Sequence, residues 1–179
     1  MFPPGVKATG RKKIEPEIAP RDGVALTMYG DSGWGSLVIK GKYEAKRFSD
    51  DLIAPAAQAI SCVGFKPDWV TWVPSLRDQN LVADFAKRLA IAIGVEPVGA
   101  IRKIKQNAEQ KRMQNSTTQF RNIWNCFEVM ETRKGNCLLI DDVVDSGWTL
   151  TAIAVKLRQA GCGEVMPFAL ASARPRSDT

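Results

Sequence analysis

Histidine is absent from the 179 residues, so a zinc site would have to be built from thiolates. The four cysteines, Cys62, Cys126, Cys137 and Cys162, show no CxxC spacing, and no zinc is expected. They read as buried or idle thiols of a reducing compartment. No apolar run approaches the roughly 18 residues of a membrane span, and the opening MFPPGVKATGRKK lacks the apolar centre of a signal peptide. A cytoplasmic protein without a membrane partner is expected. A GxxxxGK[ST] loop is missing, as is a strand carrying a DExH-type sequence, so these residues by themselves do not hydrolyse ATP or unwind DNA.

What is there has globular proportions. An apolar fraction of 45% and a charged fraction of 25% favour one domain with a proper core, plus an extension, over disorder or a fibre. The balance of 25 Lys and Arg against 19 Asp and Glu favours phosphate-bearing partners, although a merely basic soluble surface fits it equally well. Residues 1–46 are rich in Pro, Gly and charge, with Lys7, Arg11, Lys12, Lys13 and Arg21 near the start. They read as an extended basic arm or linker docked onto a domain of residues 47–179. Within the arm, GDSGWG must turn sharply, and Leu37 to Ile39 suit a short strand. A helix over residues 49–62, capped by Ser49 or Asp50, tolerates Pro55 near its start.

From Pro67 the pattern alternates between strands and helices. The β-rich run DWVTWV stops at Pro74, and Asn80 then caps a helix with Leu81, Val82, Phe85, Leu89 and Ile93 at helical spacing. Gly94 ends it as a left-handed cap. Residues 95–101 read as a strand, 102–119 as a long mobile loop, 123–130 as a strand, and 136–140 as a buried strand. A helix over 149–160, closed by Gly161, leads to a last strand over 165–171. The expected fold is α/β, a mostly parallel sheet with helices on both faces.

The chemistry is concentrated in CLLIDDVVDSGWTLT, residues 137–151. An apolar strand there ends in two acids and passes through a short polar loop into a helix. Residues 145–149 bring successive N–H groups to the positive end of that helix, Gly147 removes the Cβ that would block close approach, and Ser146 and Thr149 add hydroxyl donors. The site lies at the carboxyl end of a parallel strand, where open sheets bind ligands. Asp141 and Asp142 could instead be a solvated strand end or a helix cap. Trp148 suits core or surface packing, or stacking on a base.

These residues resemble the PRPP-binding motif of type I phosphoribosyltransferases. The resemblance implies that Asp141 and Asp142 hold the ribose hydroxyls directly or through Mg2+. It implies that Asp145, Ser146, Gly147, Trp148 and Thr149 hold the 5'-phosphate, and that Asp145 assists catalysis on the base. Over residues 67–171 the chain is most similar to the ComF-like branch, on Val73-Pro74, the helix after Asn80, the Gln- and Arg-bearing residues 110–121, and Asn122 with Phe127. Ser75, Leu76 and Arg77 would then form the pyrophosphate loop, and residues 102–119 the flexible loop. Arg77 and Lys103 or Lys105 would be the cations for pyrophosphate. The first loop departs from the family in lacking a small, glycine-bearing sequence, and no base-specificity hood is recognisable unless the N-terminal region supplies one.

A second resemblance spans nearly the whole chain. Lys13-Ile14-Glu15-Pro16, GDSGWG, WVPS, QNSTTQFRNIW and DDVVDSGWTLT are similar to the C-terminal region of a subset of bacterial RecQ-type DNA helicases. It implies a module joined to the helicase part of the same polypeptide. Two functions follow. One is an enzyme or sensor taking PRPP or a related nucleoside phosphate with Mg2+, which needs only one or two carboxylates. The other is a non-catalytic module gripping DNA phosphates through Arg11, Lys12, Lys13, Lys105, Lys111 and Arg112. The same charges also suit a solvated loop surface. Trp34, Trp69, Trp72 and Trp124 read as core or domain-contact residues.

Overall fold

Strands that carry apolar residues on both faces need cover on both faces, and this requirement organises the chain. The computed structural model describes residues 7–9, 12–76, 80–105 and 123–173. Two short strands, β1 (Lys7–Thr9) and β2 (Lys12–Lys13), pair antiparallel. Then come β3 (Val24–Met28), α1 (Trp34–Lys40) with a π-helical turn (Gly41–Ala45), and α2 (Ile53–Cys62). They are followed by β4 (Trp69–Trp72), α3 (Leu81–Ile93), β5 (Glu96–Pro97), β6 (Ile101–Lys103) and β7 (Phe127–Val129). The last elements are β8 (Cys137–Val144), α4 (Trp148–Gln159) and β9 (Val165–Ser172).

Five strands form one sheet in the order β3-β9-β8-β4-β5, and every pairing in it is parallel. One face is covered by α1, α2 and α3, whose Val38, Ala56, Phe85 and Leu89 pack on Val70, Leu138, Ile140 and Phe168. The other is covered by α4 and the β6–β7 pair, with Ile153, Leu157 and Phe127 against Trp69, Leu139 and Val165. The fold is therefore α/β with a parallel sheet between helical layers. The chain leaves β4 toward β5 on one side and reaches β8 and β9 on the other. The β4/β8 junction is thus the switch point of the sheet, where its carboxyl ends open into a crevice.

Several expectations hold closely. Ser49 caps the turn before α2, accepting from the Asp51 N–H at 3.2 Å. Gly94 is the left-handed cap of α3 with φ 75°, and α4 and β9 fall within one residue of their expected bounds. Cys126, Cys137 and Cys162 are buried and Cys62 is exposed, and none of the four is in a disulfide.

Other expectations are corrected. Leu37 to Ile39 are helical, because α1 buries Val38 fully and this packing overrides the β preference of an apolar triplet. Residues 24–28, read as part of an extended arm, are an edge strand paired with β9 from Val24↔Phe168 to Met28↔Ser172. The stretch 95–101 splits: the pairing with β4 ends where the Val98 N–H donates to the Val70 carbonyl at 2.8 Å, and Ile101 turns away to pair with Val129. The strand expected over 123–130 is limited to β7 and lies outside the parallel sheet. β8 does not stop at Ile140: β9 runs beside it to Val144↔Ser172 and keeps the two acids within the ladder.

Candidate functional site

The site is shaped by the unequal lengths of neighbouring strands. β4 pairs with β8 as far as Trp72↔Ile140, and the Val73 N–H still donates to the Ile140 carbonyl at 2.8 Å. Beyond that point β4 gives way to Pro74 and Ser75 while β8 continues beside β9 alone. Asp141 and Asp142 therefore occupy the stretch of β8 that has lost one neighbour, and both line a cleft of about 480 Å³. Val73, Pro74, Ser75, Leu81 and Val82 form one wall. Lys42, Tyr43, Lys103, Phe127 and Thr149 complete it.

Strand alternation sends Asp142 to the face of Leu138 and Ile140, beneath the layer that contains α1. There the Lys42 Nζ lies 2.7 Å from its Oδ2, while its Oδ1 accepts from the Val143 N–H at 2.7 Å. The Asp141 Oδ1 accepts from the Asp142 N–H at 2.8 Å. Burial pushes the Asp141 carboxyl well above its ordinary value, and the charge of Asp142 pushes it further, against the opposing pull of the Asp142 N–H and of Lys42. Burial works against the charge of Lys42, yet contact with Asp142, helped by Tyr43 and Asp141, leaves its pKa raised. The Tyr29 hydroxyl donates to that of Tyr43 at 3.2 Å. That bond, then burial and the nearby charges of Tyr43 and Asp142, push Tyr29 up to about 12.

After Val144 the chain turns through residues 145–147 into α4. Gly147 sits at φ 76°, a left-handed conformation that a side chain would strain, and has no side chain with which to cap the helix. The first N–H groups of α4 thus receive no side-chain cap from Gly147, and Thr149 in its first turn lines the cleft. Asp145, Ser146 and Gly147 form the turn but are not among the cleft walls, and Asp145 is exposed. Trp148 points into the core with α4, which is the packing alternative for this residue.

Of the first-loop residues, Ser75 lines the cleft and Leu76 is exposed, while Arg77 lies outside the described residues. Lys103 lines the cleft and Lys105 is exposed. Lys12 and Lys13 are on β2, whereas Arg11, Lys111 and Arg112 lie outside the described residues, as do residues 106–122. Sequence reasoning missed Lys42 and Tyr43. Their only local signal is GKY after an apolar helix turn, and nothing in it points to acids about a hundred positions away. Among the described residues no group of three or more His, Cys, Asp or Glu is placed to hold a metal ion, and no helix is long and apolar enough to cross a membrane.

No protein-family model and no curated protein matches the chain. Solved structures do. Adenine phosphoribosyltransferase from Saccharomyces cerevisiae, crystallised with an imino-altritol bisphosphate and adenine, is 16% identical with a TM-score of 0.42, over 69% of this chain and 70% of that one. A second adenine phosphoribosyltransferase is 17% identical with a TM-score of 0.44, over 69% and 71%. Purine phosphoribosyltransferase from Pyrococcus horikoshii is 19% identical with a TM-score of 0.42, over 69% and 72%.

Proposed function

We propose that the chain is a phosphoribosyltransferase-like domain whose cleft takes PRPP or a related nucleoside phosphate together with Mg2+. One observation carries this reading: twin carboxylates and Thr149, in the first turn of α4, line a single cleft at the switch point of a parallel sheet. The carboxylates suit ribose hydroxyls or a hydrated cation, and the N-terminus suits a phosphate. In this reading Thr149 and the N–H groups of residues 145–149 hold the 5'-phosphate. Ser75 and Lys103 face the pyrophosphate, and Asp145 would act on the acceptor base.

The donor set fits Mg2+ on one condition. Two adjacent carboxylates without a third ligating side chain suit an ion that keeps several waters and shares a ligand's phosphate oxygens, as Mg2+ does. Burial first and the charge of Asp142 second raise the pKa of Asp141, and a bound cation would favour its ionised form. Asp141 and Asp142 would hold the ion, whose chemistry is to neutralise the pyrophosphate. Attachment of the domain to a RecQ-type helicase, and DNA contacts through the basic residues, rest on the sequence resemblance and on charge.

Mg-PRPP at millimolar concentration should raise the melting temperature by several degrees, and the Asp141→Asn, Asp142→Asn double variant should abolish the rise. No rise in the unmodified protein removes the reading. Pyrophosphate release with a panel of bases then separates a transferase from a sensor.

A further inference from the structure

The proposed cation site is already furnished with a cation from elsewhere in the chain. Lys42 is delivered to it by a segment with little freedom to move. Val38 anchors α1 with no exposed surface. Gly41 is pressed against the following turn, where an added Cβ would lie 2.7 Å from Phe48 Cδ1 and 3.0 Å from the Arg47 carbonyl oxygen. Lys46 closes the π-helical turn in a left-handed conformation, φ 52°, and its Nζ donates back to the Lys42 carbonyl at 3.1 Å. The Lys42 side chain is 26% exposed and that of Asp142 17%, so their 2.7 Å contact is shielded from water and salt on most sides. Each Asp142 oxygen consequently has a donor, Oδ1 from the Val143 N–H and Oδ2 from Lys42.

We infer that Lys42 is a tethered counter-ion, and that a divalent cation reaches Asp142 only by displacing it from Oδ2. The inference rests on the reading above that Asp141 and Asp142 form the cation-binding end of the cleft. It adds a gate: the free protein binds the bare cation weakly, and a cation arriving with a phosphate-bearing ligand has an advantage, because the displaced ammonium then has phosphate oxygens to meet in the same cleft. Charge is the property that matters, since an ammonium and a metal ion compete for the same oxygen.

Binding of Mn2+ alone, followed by the electron paramagnetic resonance signal of the free ion, tests this on the full chain. Lys42→Met should bind Mn2+ about tenfold more tightly than the unmodified protein, the scale of one competing charge at contact. Lys42→Arg should stay near the unmodified value, and adding Asp142→Asn to Lys42→Met should cancel the gain. Equal or weaker binding by Lys42→Met overturns the inference, whether or not Mg-PRPP raises the melting temperature. The gain without any PRPP effect would keep the gate and remove the phosphoribosyl reading. A measurement on the unmodified protein covers the case in which Lys42→Met fails to fold. Saturating Mg2+ should free Lys42 and raise its rate of acetylation by acetic anhydride severalfold, read by peptide mass spectrometry. An unchanged rate overturns the inference.

Discussion

Asp141 sits in surroundings that penalise its charged form. Its pKa is raised above the ordinary 3.8 by burial first and by Asp142 second. The folded protein therefore holds this proton more tightly than the unfolded chain does. The stability contributed by the group is fully present below the unfolded value and is lost as pH rises through the folded one. Asp141→Asn keeps an oxygen that can accept from the Asp142 N–H but carries no charge. It should be more stable than the unmodified protein at pH 7, and the gap should close toward pH 4, as measured by urea denaturation at the two pH values. A less stable Asp141→Asn at pH 7 would show that the acid is not strained. The same exchange of stability for a charged group is common at sites that await a ligand.

At the scale of elements, Arg88 joins α3 to the turn before α2. Its guanidinium donates to Asp84 at 2.6 Å, to Asp50 at 2.5 Å and to the Phe48 carbonyl at 2.8 Å. These partners differ in weight. Asp50 is exposed and its pairing is screened by solvent, whereas Phe48 is fully buried beside Phe85 and its carbonyl depends on Arg88. Arg88→Met should cost about 1–3 kcal/mol, mainly by orphaning that carbonyl, while Asp50→Ala should scarcely move the unfolding midpoint. Equal effects of the two substitutions would place the value of Arg88 in its surface pairs instead. The joint also bears on the site, because Phe48 lies against Gly41, the chain neighbour of Lys42.

For the whole molecule, the segment read from sequence as an arm supplies an edge of the sheet. β3 follows β9 along its length, and the Arg21 N–H to Val165 carbonyl and Tyr29 N–H to Ser172 carbonyl bonds extend the pairing, at 2.9 and 2.8 Å. Removal of residues 1–46 would unpair one side of β9 and expose apolar surface now covered by Val38. The truncated chain should aggregate or lose cooperative unfolding, and a soluble 47–179 fragment with a sharp thermal transition would establish those residues as a unit of their own.

Local rules were enough to read the strand, turn and helix of CLLIDDVVDSGWTLT, the cap at Gly94 and the helical faces of α3 and α4. Such features depend on periodicity, on glycine at positive φ and on the continuous apolar run of a doubly covered strand, and all of these are properties of neighbouring residues. The tertiary structure alone decided that Leu37 to Ile39 coil under the sheet, that β8 continues past Ile140 along β9, and that Lys42 meets Asp142. Each of these turns on burial or pairing against a partner far away in the sequence. Contacts of that kind leave no period in the chain, because the two sides are brought together only when the sheet closes its layers over a common core.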